Sequence, residues 1–354
     1  MENTAGKLAD LGFPIEAIVI FIAVISVSVW LDLFAHRKSQ EIKVTDAAIW
    51  SVAWILISLG WYGYLRFRYG SGYADLFLAG YALEKSLSVD NLMVFIAVFS
   101  SFAIHGVAQH RILYYGILGA VLFRFVFIAA GTSLLLVGPY VLFLFAFIVL
   151  WSAWKMWHGG DDGKEEIADY SEHWSVKFAK KLMPVFPRLH GQRFFISGAE
   201  AEQLQKSDSS IQVQAGVKRY ATPMLLCMIC IEASDVMFAF DSVPAVIAIT
   251  QQPLLVYSSI IFAVLGLRSL YFVLAALQKY LIYLEKAVIV LLVYIGLKLG
   301  VEASTELWGW PGIHIAPFLN VAIVLGVLAL GVAASLLFPE KEEAKDAAKD
   351  VATS

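Results

Sequence analysis

Apolar stretches of about 20 residues recur along almost the whole chain, separated by short polar breaks. Each is long enough to cross the hydrocarbon core of a bilayer as an α-helix. Nine such spans are predicted, at roughly 15–33, 46–65, 75–103, 111–131, 134–154, 222–249, 254–277, 284–300 and 315–338. Trp30, Trp50, Trp61, Tyr62, Tyr64, Trp151, Trp154 and Trp157 fall near span ends, where an aromatic belt sits. The pattern predicts an all-α, polytopic membrane helical bundle.

One stretch breaks the apolar rule most sharply. Residues 222–250, TPMLLCMICIEASDVMFAFDSVPAVIAIT, hold Glu232, Asp235 and Asp241. Three acids at membrane depth cost about 9 kcal/mol on insertion scales, against roughly 3–7 kcal/mol returned by its Leu, Ile, Phe and Val residues. The fold must compensate these carboxylates with a proton, a basic partner, water or a metal ion. The third span has the same character: LEKSLSVDNLMVFIAV, residues 83–98.

Set side by side, residues 83–98 and 234–249 align without gaps. Glu84 falls on Asp235, Asp90 on Asp241, Asn91 on Ser242, Ile96 on Ile247 and Ala97 on Ala248. The likeness continues: Arg124 lies 34 residues after Asp90 and Arg268 27 after Asp241, while Lys155 lies 31 after Arg124 and Lys298 30 after Arg268. Each half reads acid, acid, Arg, Lys over three consecutive spans. An odd number of spans per unit makes the two units face opposite ways, as in secondary transporters whose site lies near the midplane. A three-helix inverted repeat is therefore expected, with repeat A at 75–157 and repeat B at 222–300. The two units are expected to superpose about an axis in the membrane plane. Six residues turn a regular helix by about 120° beyond a whole turn, so the paired acids do not share a face on an unbroken helix. Pro244 follows Asp241 and suggests a break there. The other possibility is a continuous helix with one acid paired to Arg124 or Arg268.

Composition agrees with a membrane protein: 60% hydrophobic and 16% charged, with a mean hydropathy of +0.73. A net charge of -3 gives no sign of nucleic-acid binding. No cleavable signal peptide and no Arg- and Ser-rich transit peptide is evident, which favours a bacterial plasma membrane. Lys and Arg concentrate in 34–44, 158–221, 278–283 and the tail, and are missing from 132–133 and 250–253. The positive-inside rule then puts the N-terminus outside and the C-terminus in the cytoplasm; Arg66 and Arg68 run against it. Residues 1–338 are expected to form one transmembrane domain, with 158–221 a cytoplasmic loop and the one substantial soluble region, and 339–354 a charged, disordered tail. DDGKEE, residues 161–166, is an acidic cluster more in keeping with a solvated linker than with a cation site. Cys227 and Cys230 lie inside a span, so a structural disulfide is not expected; the pair reads as small packing residues, with a soft-metal site as the alternative.

The chemistry of the two acidic motifs is that of a hard cation. Glu84, Asp90 and Asn91 from one half, with Glu232, Asp235, Asp241 and Ser242 from the other, offer carboxylate, amide and hydroxyl oxygens suited to Mg²⁺, Ca²⁺ or Mn²⁺. Ser86 and Ser88 are possible additions. Neither motif holds a histidine, which argues against zinc. Met93, Met228 and Met237 read as core packing. Arg124, Arg268, Lys155, Lys298 and Lys85 balance much of the negative charge and can pair with the acids when no metal is bound.

LEKSLSVDN (83–91) and EASDVMFAFDSVPA (232–245) resemble the two signature motifs of the TerC family, which includes the Alx proteins. The resemblance extends over about residues 15–338. It implies a bacterial integral membrane protein of the LysE-like transporter grouping, in a family linked to manganese export and to metal loading of exported proteins. By match to its motifs, Glu84, Asp90, Asn91, Glu232, Asp235 and Asp241 would be the acidic transport residues. The expectation is a secondary transporter, not an enzyme, that exports Mn²⁺ from the cytoplasm in exchange for protons and carries no prosthetic group. No P-loop points to ATP. The alternatives are an oxyanion transporter using Arg124 and Arg268, in keeping with the family's tellurium name, and a membrane scaffold or insertion factor whose charge pairs are structural.

Overall fold

The structure, a computed structural model, describes residues 14–35, 43–159, 170–208, 211–214, 216–277, 282–312 and 315–337. Five long helices come first: α1 Ile15–Ala35, α2 Val44–Tyr69, α3 Ser71–Ser101, α4 Val107–Leu134 and α5 Tyr140–Gly159. A small extramembrane unit follows, with α6 Trp174–Leu182, β1 Phe195–Ser197, α7 Gly198–Ser207 and β2 Arg219–Ala221. The chain then re-enters the bundle as α8 Pro223–Ile249, α9 Pro253–Val264, α10 Leu267–Leu277, α11 Ile282–Trp308 and α12 Pro317–Leu337. Proline starts α8 and α9, where its missing N–H costs nothing. Hydroxyls within the apolar helices are satisfied by the carbonyl one turn back, as at Ser58, Ser88, Ser234 and Ser335.

Among the described residues, seven helices are long and apolar enough to cross a membrane, and α9 with α10 makes an eighth as one span bent by 49°. The ninth expected span is α3. It is 31 residues long, but Asp75, Glu84, Lys85 and Asp90 keep it outside that apolar class. The protein is an all-α, multi-pass membrane bundle.

Helices α3, α8 and α9 form the centre. Nearly every α9 side chain is buried, whereas α1, α2, α4 and α5 show rows of exposed Val, Ile, Leu, Phe and Trp. These rows are lipid-facing surface, since in a bilayer apolar side chains need no protein cover. The principal contacts are reciprocal. α3 packs on α9 while α4 packs on α8, α3 and α8 touch each other, and α5 lies along α11.

The expected break at Pro244 is absent: α8 runs unbroken from Pro223 to Ile249 with Pro244 inside it. The next chain segment breaks instead, between Val264 and Leu267. There Gly266 has φ +79, and a Cβ on it would lie 2.4 Å from Cδ1 of Trp54. The left-handed backbone and the close approach of a buried indole both require glycine. Lys85 of α3 supplies the freed carbonyls with a donor: its Nζ donates to Ala263 O at 3.0 Å and reaches Leu265 O at 3.5 Å. We expect Gly266→Ala to destabilise the purified protein by about 1–3 kcal/mol from backbone strain alone. Gly63→Ala, where an added Cβ meets nothing, is the matched neutral control in the same thermal unfolding assay.

The region expected as a soluble loop, 158–221, holds folded structure. β1 and β2 pair antiparallel with Phe195 opposite Ala221. Phe186, Ile196, Ala201, Ile211 and Tyr220 bury a small core of their own. Val176 and Ala179 of α6 join the core around Met224, Leu226, Cys227 and Cys230 of α8. The acidic cluster at 161–166 and the tail 339–354 lie outside the described residues.

Candidate metal centre

Three helices meet at Arg124. On α3, Glu84, Ser88 and Asn91 recur at the spacing that keeps one helix face. On α8, Glu232 and Asp235 are three apart and share a face by the same rule. Arg124 comes from α4 and sits between them. Its Nη1 donates to Glu84 Oε1 in a short, direct ion pair. Its Nη2 and Nε donate to Asp235 Oδ1 and Oδ2 at 2.9 and 3.3 Å, a two-pronged pairing that fits the planar guanidinium fork. The side chains of Arg124, Glu84 and Asp235 are exposed by 1%, 0% and 4%, so water does not screen the trio. One cation thus holds carboxylates from both acidic motifs.

Glu232 reaches α4 beside this trio. Its carboxylate lies against Gly116 and Gly119; a Cβ on Gly119 would come within 2.2 Å of Glu232 Oε2. Two glycines on one face of α4 let the carboxylate approach the helix backbone. Oε2 is buried and makes no hydrogen bond among the described residues. A small, mostly apolar cavity opens there, with room for about one water-sized guest; Phe95, Leu113 and Leu267 wall it, and Glu232, Asp235 and Arg268 reach its edge.

Arg268, the first arginine after the Gly266 turn, does not pair with Asp235, the acid that precedes it in the expected repeat. Its Nη2 donates to Asp32 of α1, to Oδ1 at 3.0 Å and to the main-chain oxygen at 3.3 Å, and both side chains are buried. Nε and Nη1 make no hydrogen bond among the described residues. The carboxylates Glu84, Asp235, Glu232 and Asp32 stand against the guanidinium groups of Arg124 and Arg268, which leaves a formal charge of -2 when all are ionised. That deficit matches one divalent cation.

The remaining candidates are placed less closely. Ser242 is buried beside Glu84, with its hydroxyl at that carboxylate. Asn91 is buried with Nδ2 unpartnered, and Ser86 Oγ is likewise unpartnered. Asp241 is half-buried, with Ser152 of α5 beside its carboxylate. Asp90 occupies its place in α3, but its side chain lies outside the described residues. Lys298 donates to Ala248 O at 2.9 Å at the end of α8, and Lys155 is exposed on α5. Among the described residues no three His, Cys, Asp or Glu side chains converge on a single point. Arginines hold Glu84, Asp235 and Asp32 in this arrangement, and Glu232 and Asp241 stand apart from them.

A sequence profile described as the integral membrane protein TerC family matches residues 70–343. The chain belongs to the TerC family. It is 48% identical over 340 residues to the tellurium resistance protein TerC of Serratia marcescens, covering 95% of this chain and 98% of that protein. It is 31% identical over 320 residues to the membrane-bound redox modulator Alx of Escherichia coli strain K12, a function put forward provisionally for that protein, covering 88% of this chain and 91% of that one. The thylakoid membrane protein TERC of Arabidopsis thaliana is 38% identical over 267 residues, covering 75% of this chain and 62% of that one. No solved structure matches the chain.

Within this TerC-family chain, Cys227 and Cys230 are free, buried thiols packed against α6. Met237 is 47% exposed, against the core packing expected of it, while Met93 and Met228 pack on the apolar core. Two features of the site went unread in the sequence. Asp32 was legible as an acid inside an apolar span, the same signal that marked Glu84. Gly116 and Gly119 carried no such signal, because glycine is frequent in membrane helices for several reasons.

Proposed function

We propose that this TerC-family protein is a secondary transporter that exports Mn²⁺ from the bacterial cytoplasm across the plasma membrane in exchange for protons. The observation that carries the reading is the buried junction of Glu84, Arg124, Asp235 and Glu232, three carboxylates against one guanidinium, of which Glu232 and Asp235 reach a small cavity. Hard oxygen donors with no histidine or thiolate among them favour Mn²⁺, Mg²⁺ or Ca²⁺ over zinc. Arg124 clamps α3 to α8 while no metal is bound. An arriving divalent ion competes with the guanidinium for Glu84 and Asp235 and releases the clamp, which couples binding to movement of one half against the other. The reciprocal contacts of α3 with α9 and α4 with α8 agree with two inverted units exchanging partners. Carboxylates in such surroundings take a proton or a metal in turn, which favours proton exchange. Asp90, Asp241, Asn91 and Ser242 complete the ligand set along the path. The oxyanion reading is weaker because both arginines are engaged by carboxylates.

Cells producing the parent chain are expected to accumulate less manganese under metal load than cells without it. Asp90→Ala and Asp241→Ala, present in the membrane at parent levels, are expected to restore accumulation. Equal manganese content in parent and variant cells would favour a structural role for the acids.

A further inference from the structure

α6 lies outside the candidate site and has a face that stands exposed among the described residues. At about 100° per residue, its nine side chains divide into three arcs. Ser175, Ala179 and Val176 form the buried arc, packed against the first turns of α8. Lys180, Lys177 and Lys181 form a basic arc. Trp174, Phe178 and Leu182, spaced by four, form a third arc and are exposed by 58%, 59% and 66%. Three large apolar side chains in a row on a nine-residue helix are not a chance surface.

The position of α6 says what covers them. It packs on the N-terminal turns of α8, so it sits where that span leaves the bilayer. The same segment joins the end of α5, whose Trp151, Trp154 and Trp157 are exposed by 53%, 52% and 63% in the manner of an interfacial belt. Chain order puts the end of α5 and the start of α8 on one side of the bilayer, so the bare arc stands on the same side as that belt and shares its aromatic character, and lysines flank it. Lys177 is paired to Glu172 at 3.1 Å, both exposed, while Lys180 reaches only the Ser171 carbonyl at 3.5 Å.

We propose that α6 is an interfacial helix: Trp174, Phe178 and Leu182 sink into the acyl–headgroup boundary of the adjoining leaflet, and Lys180 and Lys181 engage anionic lipid phosphates. Such a helix anchors the 174–222 unit to the membrane surface and links lipid charge to the start of α8, three turns before Glu232.

The test uses the full chain in nanodiscs of phosphatidylcholine, with and without phosphatidylglycerol. Spin labels are placed through Phe178→Cys, Leu182→Cys and Lys180→Cys; the parent chain is the labelling control, because Cys227 and Cys230 are buried. At 178 and 182, collisions with a water-soluble nickel chelate should be about tenfold or more below those at 180, with oxygen collisions higher. Phosphatidylglycerol should deepen this protection, by roughly fivefold per lysine engaged, and Lys180→Glu with Lys181→Glu should abolish the deepening. Nickel access at 178 and 182 equal to that at 180 would overturn the proposal in favour of a solvated face. Protection from both oxygen and nickel would overturn it in favour of a covering protein.

Discussion

Arg124→Ala is expected to destabilise the protein by about 3–5 kcal/mol, the usual result of removing one partner from a buried ion pair. Glu84 and Asp235 would then face each other across the α3–α8 contact without water or a cation, since their side chains are 0% and 4% exposed. Arg124→Lys should recover part of the loss, because a point charge cannot reproduce the two-pronged bond to Asp235. Neutralising the acids together with the arginine, as Arg124→Ala with Glu84→Gln and Asp235→Asn, should return most of the stability and none of the transport. Thermal unfolding of the purified variants in detergent reads both effects. A single Arg124→Ala variant that melts with the parent would mean that the three charges are not coupled.

Asp241→Asn is expected to act in the opposite way, leaving the fold in place while weakening metal binding by about 10–100-fold or more. Asp241 is half-buried, with the Ser152 hydroxyl beside it rather than an arginine, so no cation is orphaned by the change. Asparagine keeps the volume and is cheaper to bury than a carboxylate. One negative charge is lost, and with it most of the attraction for a hard divalent ion. Titration of purified protein with Mn²⁺, following the free-ion electron paramagnetic resonance signal, measures the shift. An unchanged affinity would remove Asp241 from the ligand set.

Much of this architecture was legible because membrane helices announce themselves by length and hydropathy. The spans matched the helices even where α3 was too charged for the apolar criterion. The pairing of acids with arginines was also foreseeable, since a charge at membrane depth must find a partner. Which acid meets which arginine was not. A register repeat suggests that Arg268 pairs within its own half, yet Arg268 turns to Asp32 and leaves Asp235 to Arg124. That choice is made by the Gly266 turn beside Arg268 and by helix packing across the bundle, and the packing is not encoded around the charged residues. Pro244 misled in the same way: a proline inside a tightly packed helix need not break it when neighbouring helices hold the backbone. The fold of residues 174–222 was hidden because its core is a handful of scattered side chains without periodicity.

The most direct test of the transport site is Mn²⁺ efflux from preloaded vesicles carrying the purified parent, Asp90→Asn or Asp241→Asn. The parent should release Mn²⁺ faster than empty vesicles, with a rate that responds to an imposed proton gradient. Both variants, folded by the same thermal criterion, should release it no faster than empty vesicles. If both fold and move Mn²⁺ at the parent rate with the same response to the gradient, these carboxylates are not the transport site and manganese export by this route is contradicted.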